Sequence, residues 1–396
     1  MALEEGMDNC LMPSPNSTGN GINGEQLGSI DYFITQLVSR RTLIPVEQSG
    51  LHMLVSRALQ QPELMTALQA SSAAHQLQSF PEATTNEYFQ RKAQYEYSEA
   101  LGSFSRYLRN GQVDFERAAT CAILLTFTDV VQGGTEEWYH HLHGAIAIIN
   151  GACGIVDPRN ITYHRFMTRF LIYHDVLAAV ATASPTALNP SFYEEEEQQV
   201  VSENLHSVAG ANSLLLASIA RICRLNAAYG GNKPGDFGLL YSEADIIEQK
   251  LLSVQYSSAC SLLLHVLHEA YRASGLLLLY QTLEFVESSA SLIQILNAKS
   301  KSCYNDLMNY LLRIPVDTLI SPALLFPLFI AGISSTSKTD QAWIHEQLSA
   351  LYSKLRFGNI KSALSILRDI WDCGTPNATL MWQSFIYRRK WRLALA

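Results

Sequence analysis

The sequence predicts an all-α protein, folded as one large helical domain whose helices pack in pairs. Three observations support this fold class. Apolar residues recur at three- and four-residue spacing along most of the chain, strictly alternating apolar and polar segments are scarce, and Gly, Pro and Asn separate the apolar segments. With 396 residues, 48% of them hydrophobic, the chain can bury a substantial core without disulfides or metal ions.

The N-terminal region differs from the rest in composition. The first 25 residues are rich in Asn, Gly, Ser and Pro and lack apolar periodicity. We therefore expect residues 1–25 to be a disordered lead and residues 26–396 to form the helical domain. Helical spacing of apolar residues begins near Leu27, and two short helices are expected between Leu27 and Leu64, with Pro62 interrupting the second.

The remaining helices are predicted from apolar periodicity that ends at Gly, Pro or Asn. They cover residues 86–109, 115–131, 135–150, 161–183, 214–228, 242 onward, 257–285, 289–313, 321–332, 338–355 and 360–372. Residues 115–131 are apolar on all sides, which indicates a helix buried between other helices. Residues 184–210 contain two prolines and the acidic run 194–197, and are expected to form a solvated connection.

Composition argues against direct nucleic-acid binding and against a membrane span. The net charge is −8 and the sequence pI is about 5.8, whereas phosphate backbones are bound by clustered Lys and Arg. The longest uncharged apolar run, residues 323–333, is too short to cross a bilayer. Charged residues make up only 16% of the chain, below the roughly 25% that is usual. A surface with so few charged residues suggests that a second copy of the chain or another protein partner covers part of it.

The cysteines and the N-terminus point to an intracellular protein. The seven cysteines are scattered and odd in number, which favours reduced, buried thiols. The first residues include Glu4, Glu5 and Asp8 and no apolar segment, so a secretory signal is not expected.

No catalytic or cofactor motif stands out. Residues 19–24 match the letters of a dinucleotide fingerprint, but they follow no strand, so the match is attributed to chance. His140, His141 and His143 are close in sequence but do not share one helical face, and no cysteine is near. We therefore expect no metal site and no cofactor, and we expect these histidines to be hydrogen-bonded within the core.

His174 and Asp175 are unusual because they lie within an apolar helical segment. A carboxylate there must be paired, because an unpaired buried charge costs several kcal/mol. In a structural role, Asp175 would accept hydrogen bonds from His141, Arg165 or a helix N-terminus. In a functional role, His174 and Asp175 would line a pocket and bind a ligand or act as acid and base, although adjacent helical residues point about 100° apart.

Several loose motifs occur in an order that resembles a known family. They are Asp129, Gly133, Trp138, His141-Leu142 and Gly144-Ala145, the segment 170–178, the segment 327–332, and Gly358-Asn359 with Trp371. In this order and spacing they are similar to the C-terminal regulatory domain of fungal-specific zinc-cluster transcription factors. The resemblance runs from about residue 27 to residue 396. Most of these positions have architectural roles, with Gly144 expected to permit close helix approach and Trp138 to fill a core gap.

The resemblance implies a transcriptional regulator, but the sequence departs from the family in one respect. Family members usually begin with six cysteines that hold two zinc ions, whereas only Cys10 precedes Cys121 here. We therefore expect a nuclear, or alternatively cytoplasmic, regulator without its own zinc-cluster DNA-binding domain. It would control metabolic or secondary-metabolite genes by sensing a small molecule, by binding a protein partner, or both.

The residues proposed to contact a ligand are Trp138, His141, Tyr173, His174 and Asp175. The alternative is an enzyme of the isomerase or cyclase type that uses the same helical scaffold, with His174 and Asp175 as its catalytic candidates.

Overall fold

The protein is all-α, as predicted. The computed structural model describes residues 23–43, 50–80, 83–111, 113–151, 161–199, 213–229, 237–255, 261–374 and 380–396, and within these ranges it contains helices and no strand. The helices up to α8 are α1 (Gly24–Tyr32), a π-helical turn (Phe33–Val38), α2 (Ser39–Arg41), α3 (Leu51–Ala58), α4 (Pro62–Ser79), α5 (Ala83–Arg109), α6 (Phe115–Gln132), α7 (Glu137–Gly151) and α8 (Ile161–Thr182). The others are α9 (Pro190–Gln199), α10 (Ser213–Tyr229), α11 (Phe237–Ser253), α12 (Leu262–Val286), α13 (Ala290–Leu311), a 3₁₀ turn (Ser321–Ala323), α14 (Leu325–Ser334), α15 (Lys338–Leu355), α16 (Gly358–Cys373) and α17 (Trp382–Arg388).

Helix boundaries follow local capping chemistry. At the start of α6, the Asp114 carboxylate accepts a hydrogen bond from the Arg117 N–H at 3.1 Å. At its end, the N–H groups of Gly133 and Gly134 bond to the Asp129 carbonyl at 3.1 and 2.8 Å. Each bond satisfies a backbone group that a helix end leaves without an intrahelical partner. The sequence between these residues is apolar, so α6 forms as a continuous buried helix.

The helices pack in pairs around one apolar core. The most extensive pairings join α4 to α5, α6 to α7 and α12 to α13, and α4 also packs along α6. Buried residues of these helices belong to a single hydrophobic cluster that also includes α8, α14 and α16. Within the described residues, no helix combines the length and apolar character needed to cross a bilayer.

Two predictions about the elements were wrong. Residues 62–79 form the long helix α4, in which Pro62 occupies the first turn instead of interrupting a helix, because a first-turn N–H needs no partner. Residues 190–199 form α9 rather than a solvated connection, and Phe192 and Tyr193 anchor it in the core. Helix α1 begins at Gly24, close to the boundary expected at about residue 25, and Asn23 and Gln26 form a capping box at its start. The rest of the predicted lead lies outside the described residues.

The glycines of the motifs differ in how closely neighbouring atoms approach them. Gly144 is exposed and has no atom within 4 Å of where a Cβ would lie, so its predicted role in close helix approach was wrong. Gly358 has that role instead, because a Cβ there would lie 2.8 Å from backbone atoms of Val131 and Gln132. A Cβ on Gly332 would lie 2.6 Å from the Leu367 side chain.

Residues 391–396, here called the C-terminal segment, insert into the core beside these motifs. Leu393 and Leu395 have no exposed surface. The Ala394 N–H donates to the Gly134 carbonyl at 3.0 Å, and Asn359 Nδ2 donates to the carbonyl of Ala394 at 3.1 Å. The motif residues near positions 134 and 359 therefore hold a segment that is distant in sequence.

We expect Gly358→Ala to lower the free energy of unfolding by about 1–3 kcal/mol, because the added methyl group meets backbone that cannot rotate away. Chemical denaturation of the purified protein measures this change. Gly144→Ala is the matched control and should leave stability within about 0.5 kcal/mol of the parent, or raise it slightly. Equal effects at the two positions would contradict the packing assigned to Gly358.

Candidate functional site

Trp138, the first predicted ligand contact, lies at the start of α7 and is almost fully buried. Its indole Nε1–H donates to the backbone carbonyl of Arg392. The ring thus packs under the C-terminal segment, and its polar group is satisfied by the protein itself. This arrangement holds the C-terminal segment against α7.

His141 lies near the start of α7, close to a carboxylate of α6. Its Nε2 is 3.6 Å from Asp129 Oδ2 and 3.3 Å from the Tyr97 hydroxyl oxygen. The pKa of Asp129 is raised to about 7, chiefly by burial; the Tyr97 hydroxyl opposes this shift and the charge of nearby Glu137 adds to it. Burial also lowers the pKa of His141. The uncharged forms of Asp129 and His141 are thus favoured in the folded protein.

The raised pKa of Asp129 predicts a pH-dependent stability. The folded pKa of about 7 exceeds the ordinary value of 3.8, so this group's contribution is complete below about pH 4 and is lost as the pH rises through 7. The full loss, between about pH 4 and pH 7, should be on the order of 4 kcal/mol, since one pKa unit corresponds to about 1.4 kcal/mol. Stability measured from pH 4.5 to 8 should fall in the parent relative to Asp129→Asn. A stability difference that stays constant across this range would contradict the prediction.

Tyr173 and His174 belong to a second buried group, around Arg41 at the end of α2. Arg41 Nη2 and His174 Nε2 are 2.8 Å apart, and His174 Nδ1 is 2.8 Å from the Phe170 carbonyl oxygen. A guanidinium can only donate and a carbonyl can only accept, so His174 is neutral, with its proton on Nδ1. The Tyr173 hydroxyl lies 3.4 Å from that of Tyr271.

Arg41 is an unusual feature of this group, and sequence reasoning did not select it. Its side chain is buried, and burial lowers its pKa to about 10, which leaves it protonated at neutral pH. Among the described residues no carboxylate pairs with it. Its guanidinium carbon instead lies 5.0 Å from the ring centre of Phe127 and 5.7 Å from that of Phe357. Aromatic faces and the His174 lone pair therefore stabilise this cation.

Asp175 is held by a different set of partners. Its carboxylate accepts hydrogen bonds from the N–H groups of Ala187 and Leu188, at 2.9 and 2.8 Å, and from the Tyr193 hydroxyl at 2.9 Å. Burial raises the pKa of Asp175, and these three hydrogen bonds oppose the shift. Asp175 therefore fixes the turn that leads into α9. The hydrogen bonds considered from His141 or Arg165 are not among its contacts.

The five residues predicted from the sequence thus lie in several different environments, with only Tyr173 and His174 in a common group, and the structure does not bring all five together around one cavity. Each of them contacts groups of the protein itself. Among the described residues, no three His, Cys, Asp or Glu side chains are grouped as metal ligands would be.

A cavity of about 320 Å³ lies elsewhere, between α8, α10, α12 and residues 380–384, which lead into α17. None of the five residues above is among the described residues that line it. Its interior is formed by buried side chains, namely Ala179, Val180, Ile222, Cys223, Leu278, Gln281, Thr282 and Trp382. Exposed residues Ala183, Ala227 and Met381 flank its mouth. The polar residues Asn226, Gln383 and Ser384 also belong to the lining. This partly open cavity, mainly apolar in its interior, is the candidate ligand site.

Gln281 is the notable polar group of the cavity. It is 9% exposed, and its Nε2 donates to Ser334 Oγ at 2.9 Å, whereas its Oε1 is buried without a hydrogen-bond partner. Thr282 bonds to its own helix through the Leu278 carbonyl. Burial raises the pKa of the Cys223 thiol, which keeps that cysteine unreactive. The described residues that line the cavity therefore include no activated nucleophile.

The sequence contained one signal for this site. Gln281 is an amide within the apolar run of α12, where most neighbours are Leu. Such a residue needs a partner in the core, as Asp175 does. The other walls come from segments far apart in the chain.

Comparisons with known proteins agree with the motif resemblance. The model of the fungal specific transcription factor domain matches residues 29–396. The chain is also 21% identical, over 401 residues, to a Schizosaccharomyces pombe protein described as an uncharacterized transcriptional regulatory protein. That alignment covers 97% of this chain and 74% of the relative. No solved structure matches the chain.

Proposed function

The chain belongs to the fungal specific transcription factor domain family, and from this we propose that it is a nuclear regulator of transcription. The match over residues 29–396 carries the proposal, because it spans the whole helical core. A relative described as a transcriptional regulatory protein supports the same role.

We propose that the domain receives its signal as a small molecule and acts on transcription through protein contacts. The cavity between α8, α10, α12 and residues 380–384 supports the first part, since its volume of about 320 Å³ is that of a small-molecule site and its interior is mainly apolar. Metabolic genes are the targets that a small-molecule signal would suit. The enzyme alternative has less support, because both ring nitrogens of His174 and the carboxylate of Asp175 are engaged by the protein.

The second part of the proposal concerns DNA. A net charge of −8 disfavours contact with phosphates through these residues. We propose that DNA contact is provided by a protein partner, or by another copy of the chain together with such a partner. The low proportion of charged residues, 16%, suits a surface that a partner covers.

The test is to fuse residues 1–396 to an unrelated DNA-binding domain and to measure a reporter gene placed downstream of its binding site. We expect reporter expression to change several-fold relative to the DNA-binding domain alone, and a fluorescent fusion to accumulate in the nucleus. Gly358→Ala, which weakens packing, should reduce the effect, whereas Gly144→Ala should preserve it. A stable, nuclear fusion that leaves the reporter unchanged would overturn the proposed function.

A further inference from the structure

We propose that a basic surface of the domain binds an acidic peptide segment of a protein partner. This basic surface lies at the junction of α15 and α16 and consists of Arg40, Lys354, Arg356 and Lys361. The inference rests on the proposed function, because it names the chemistry of the partner through which the domain would act. Binding itself depends only on the charges and the geometry of the surface.

Arg356 and Lys361 contact the same aromatic ring. The Arg356 guanidinium carbon is 5.6 Å from the ring centre of Tyr352, and Lys361 Nζ is 4.2 Å from it. The two charges are therefore no more than about 10 Å apart, roughly one Debye length at 0.1 M salt, so their potentials add in solution. Among the described residues, neither cation has a carboxylate within ion-pair distance.

Arg40 and Lys354 extend the positive charge beside this ring. Arg40 Nη1 donates to the Lys354 carbonyl at 3.0 Å, at the C-terminal end of α15. The Lys354 ammonium lies 3.2 Å from the exposed carboxylate of Asp317, which is the only ion-pair partner that the described part of the chain offers to the four cations. The basic surface therefore carries an excess of positive charge in a chain whose net charge is −8.

The fold explains two of the four cations. Arg40 bonds to a carbonyl at the C-terminal end of α15, where positive charge is favourable, and Lys354 is paired with a carboxylate. Arg356, in contrast, takes the left-handed C-cap position of α15, with φ 58°, where Gly or Asn is usual. Lys361 is the fourth residue of α16, close to the end where the helix dipole disfavours a cation. Arg356 and Lys361 are thus better suited to binding an anion than to stabilising the fold.

The carboxylates of a peptide fit this surface. Guanidinium and ammonium groups both bind carboxylates through charge-assisted hydrogen bonds, and an arginine can bind both oxygens of one carboxylate. Lys361 is exposed and Arg356 is half-buried, so both can be reached from solvent. A segment with several closely spaced Asp or Glu residues would pair with these cations while the Tyr352 ring stays in place.

A nucleic acid fits less well, for two reasons. The Tyr352 ring already packs against two cations, so it is not available as a platform on which a base could stack. The rest of the chain is also more acidic than the net charge of −8, because the basic surface holds four of the 28 Lys and Arg residues. A long polyanion would be repelled beyond the basic surface, whereas a short acidic segment would contact that surface alone.

The test is fluorescence polarisation of the full chain with a short fluorescein-labelled peptide of alternating Glu and Ser residues. Its counterpart, in which Gln replaces Glu, measures binding that does not depend on charge. We expect the Glu peptide to bind at least about tenfold more tightly than the Gln peptide at about 50 mM salt. The difference should shrink at about 300 mM salt, because the charges are then screened.

Two pairs of substitutions locate the site. Arg356→Asn combined with Lys361→Gln removes both charges and should weaken binding of the Glu peptide at least about fivefold. Its melting temperature should equal or exceed that of the parent, because Asn suits the left-handed backbone. Lys301→Gln combined with Lys338→Gln removes the same charge from exposed positions on α13 and at the opposite end of α15, and should leave binding within about twofold of the parent.

The inference is overturned if the Gln peptide binds as well as the Glu peptide, if the variant lacking both Arg356 and Lys361 binds like the parent, or if a single-stranded oligonucleotide binds these residues more tightly than the peptide. These outcomes are distinct from failure of the proposed function. A tethered chain that changes the reporter without binding the Glu peptide would retain the function and lose this surface. A chain that binds the peptide through Arg356 and Lys361 but leaves the reporter unchanged would retain the surface and lose the function.

Discussion

Asp175→Ala should lower the free energy of unfolding by about 3–6 kcal/mol. The substitution leaves three donors without an acceptor, namely the partly buried N–H group of Ala187 and the buried N–H group of Leu188 and hydroxyl of Tyr193. Each unsatisfied donor costs about 1–3 kcal/mol. Chemical denaturation at neutral pH measures the loss, and hydrogen exchange should locate the increased opening in residues 187–193.

Tyr193→Phe is the matched variant, because it removes one of the three donors and keeps the ring. We expect it to cost about 1 kcal/mol, since only one hydrogen bond is lost. If Asp175→Ala were no more destabilising than Tyr193→Phe, the carboxylate would not be organising the turn before α9. A functional role for Asp175 would then have to be considered again.

Trp138→Ala should lower the free energy of unfolding by about 5 kcal/mol. A large buried side chain is removed, which costs about 3–5 kcal/mol, and the Arg392 carbonyl also loses its donor. Denaturation measures the total loss. Limited proteolysis should show the C-terminal segment cleaved well before the rest of the chain.

Trp138→Phe separates the two contributions. It retains much of the ring packing but no longer donates to Arg392, so we expect a loss of about 1–2 kcal/mol. A C-terminal segment that stays protected from protease in Trp138→Ala would show that the indole does not hold it in place.

Features that depend on local pattern could be predicted from the sequence. The apolar run of α6 between Asp114 and Gly133 predicted a buried helix, and it is one. The apolar surroundings of Asp175 predicted hydrogen-bond partners for its carboxylate, because the cost of leaving it unpaired does not depend on the fold. The pattern did not identify those partners, which are two backbone N–H groups 12 and 13 residues away and the Tyr193 hydroxyl.

The candidate site could not be predicted, for a physical reason. Its walls come from residues near positions 180, 223, 281 and 382, and only tertiary packing brings these helices together. The burial of Arg41 could not be predicted for the same reason. An arginine near a helix end is usually solvated, whereas Arg41 is buried against Phe127 and Phe357, which are distant in sequence. Helix α9 was not predicted because the acidic run 194–197 indicated an exposed connection. The two apolar residues that precede this run, Phe192 and Tyr193, anchor the helix in the core.

The hydrogen bond between Trp138 and Arg392 joins residues 254 positions apart. During synthesis, α6 and α7 are therefore complete long before the segment that covers Trp138 and Gly134 has left the ribosome. Apolar surface on these helices stays open to water for that interval, and contacts of such large sequence separation form slowly even in the finished chain. We therefore expect the nascent protein to depend on chaperones more than a helical bundle with local contacts would, because its core stays incomplete until the C-terminal segment is in place.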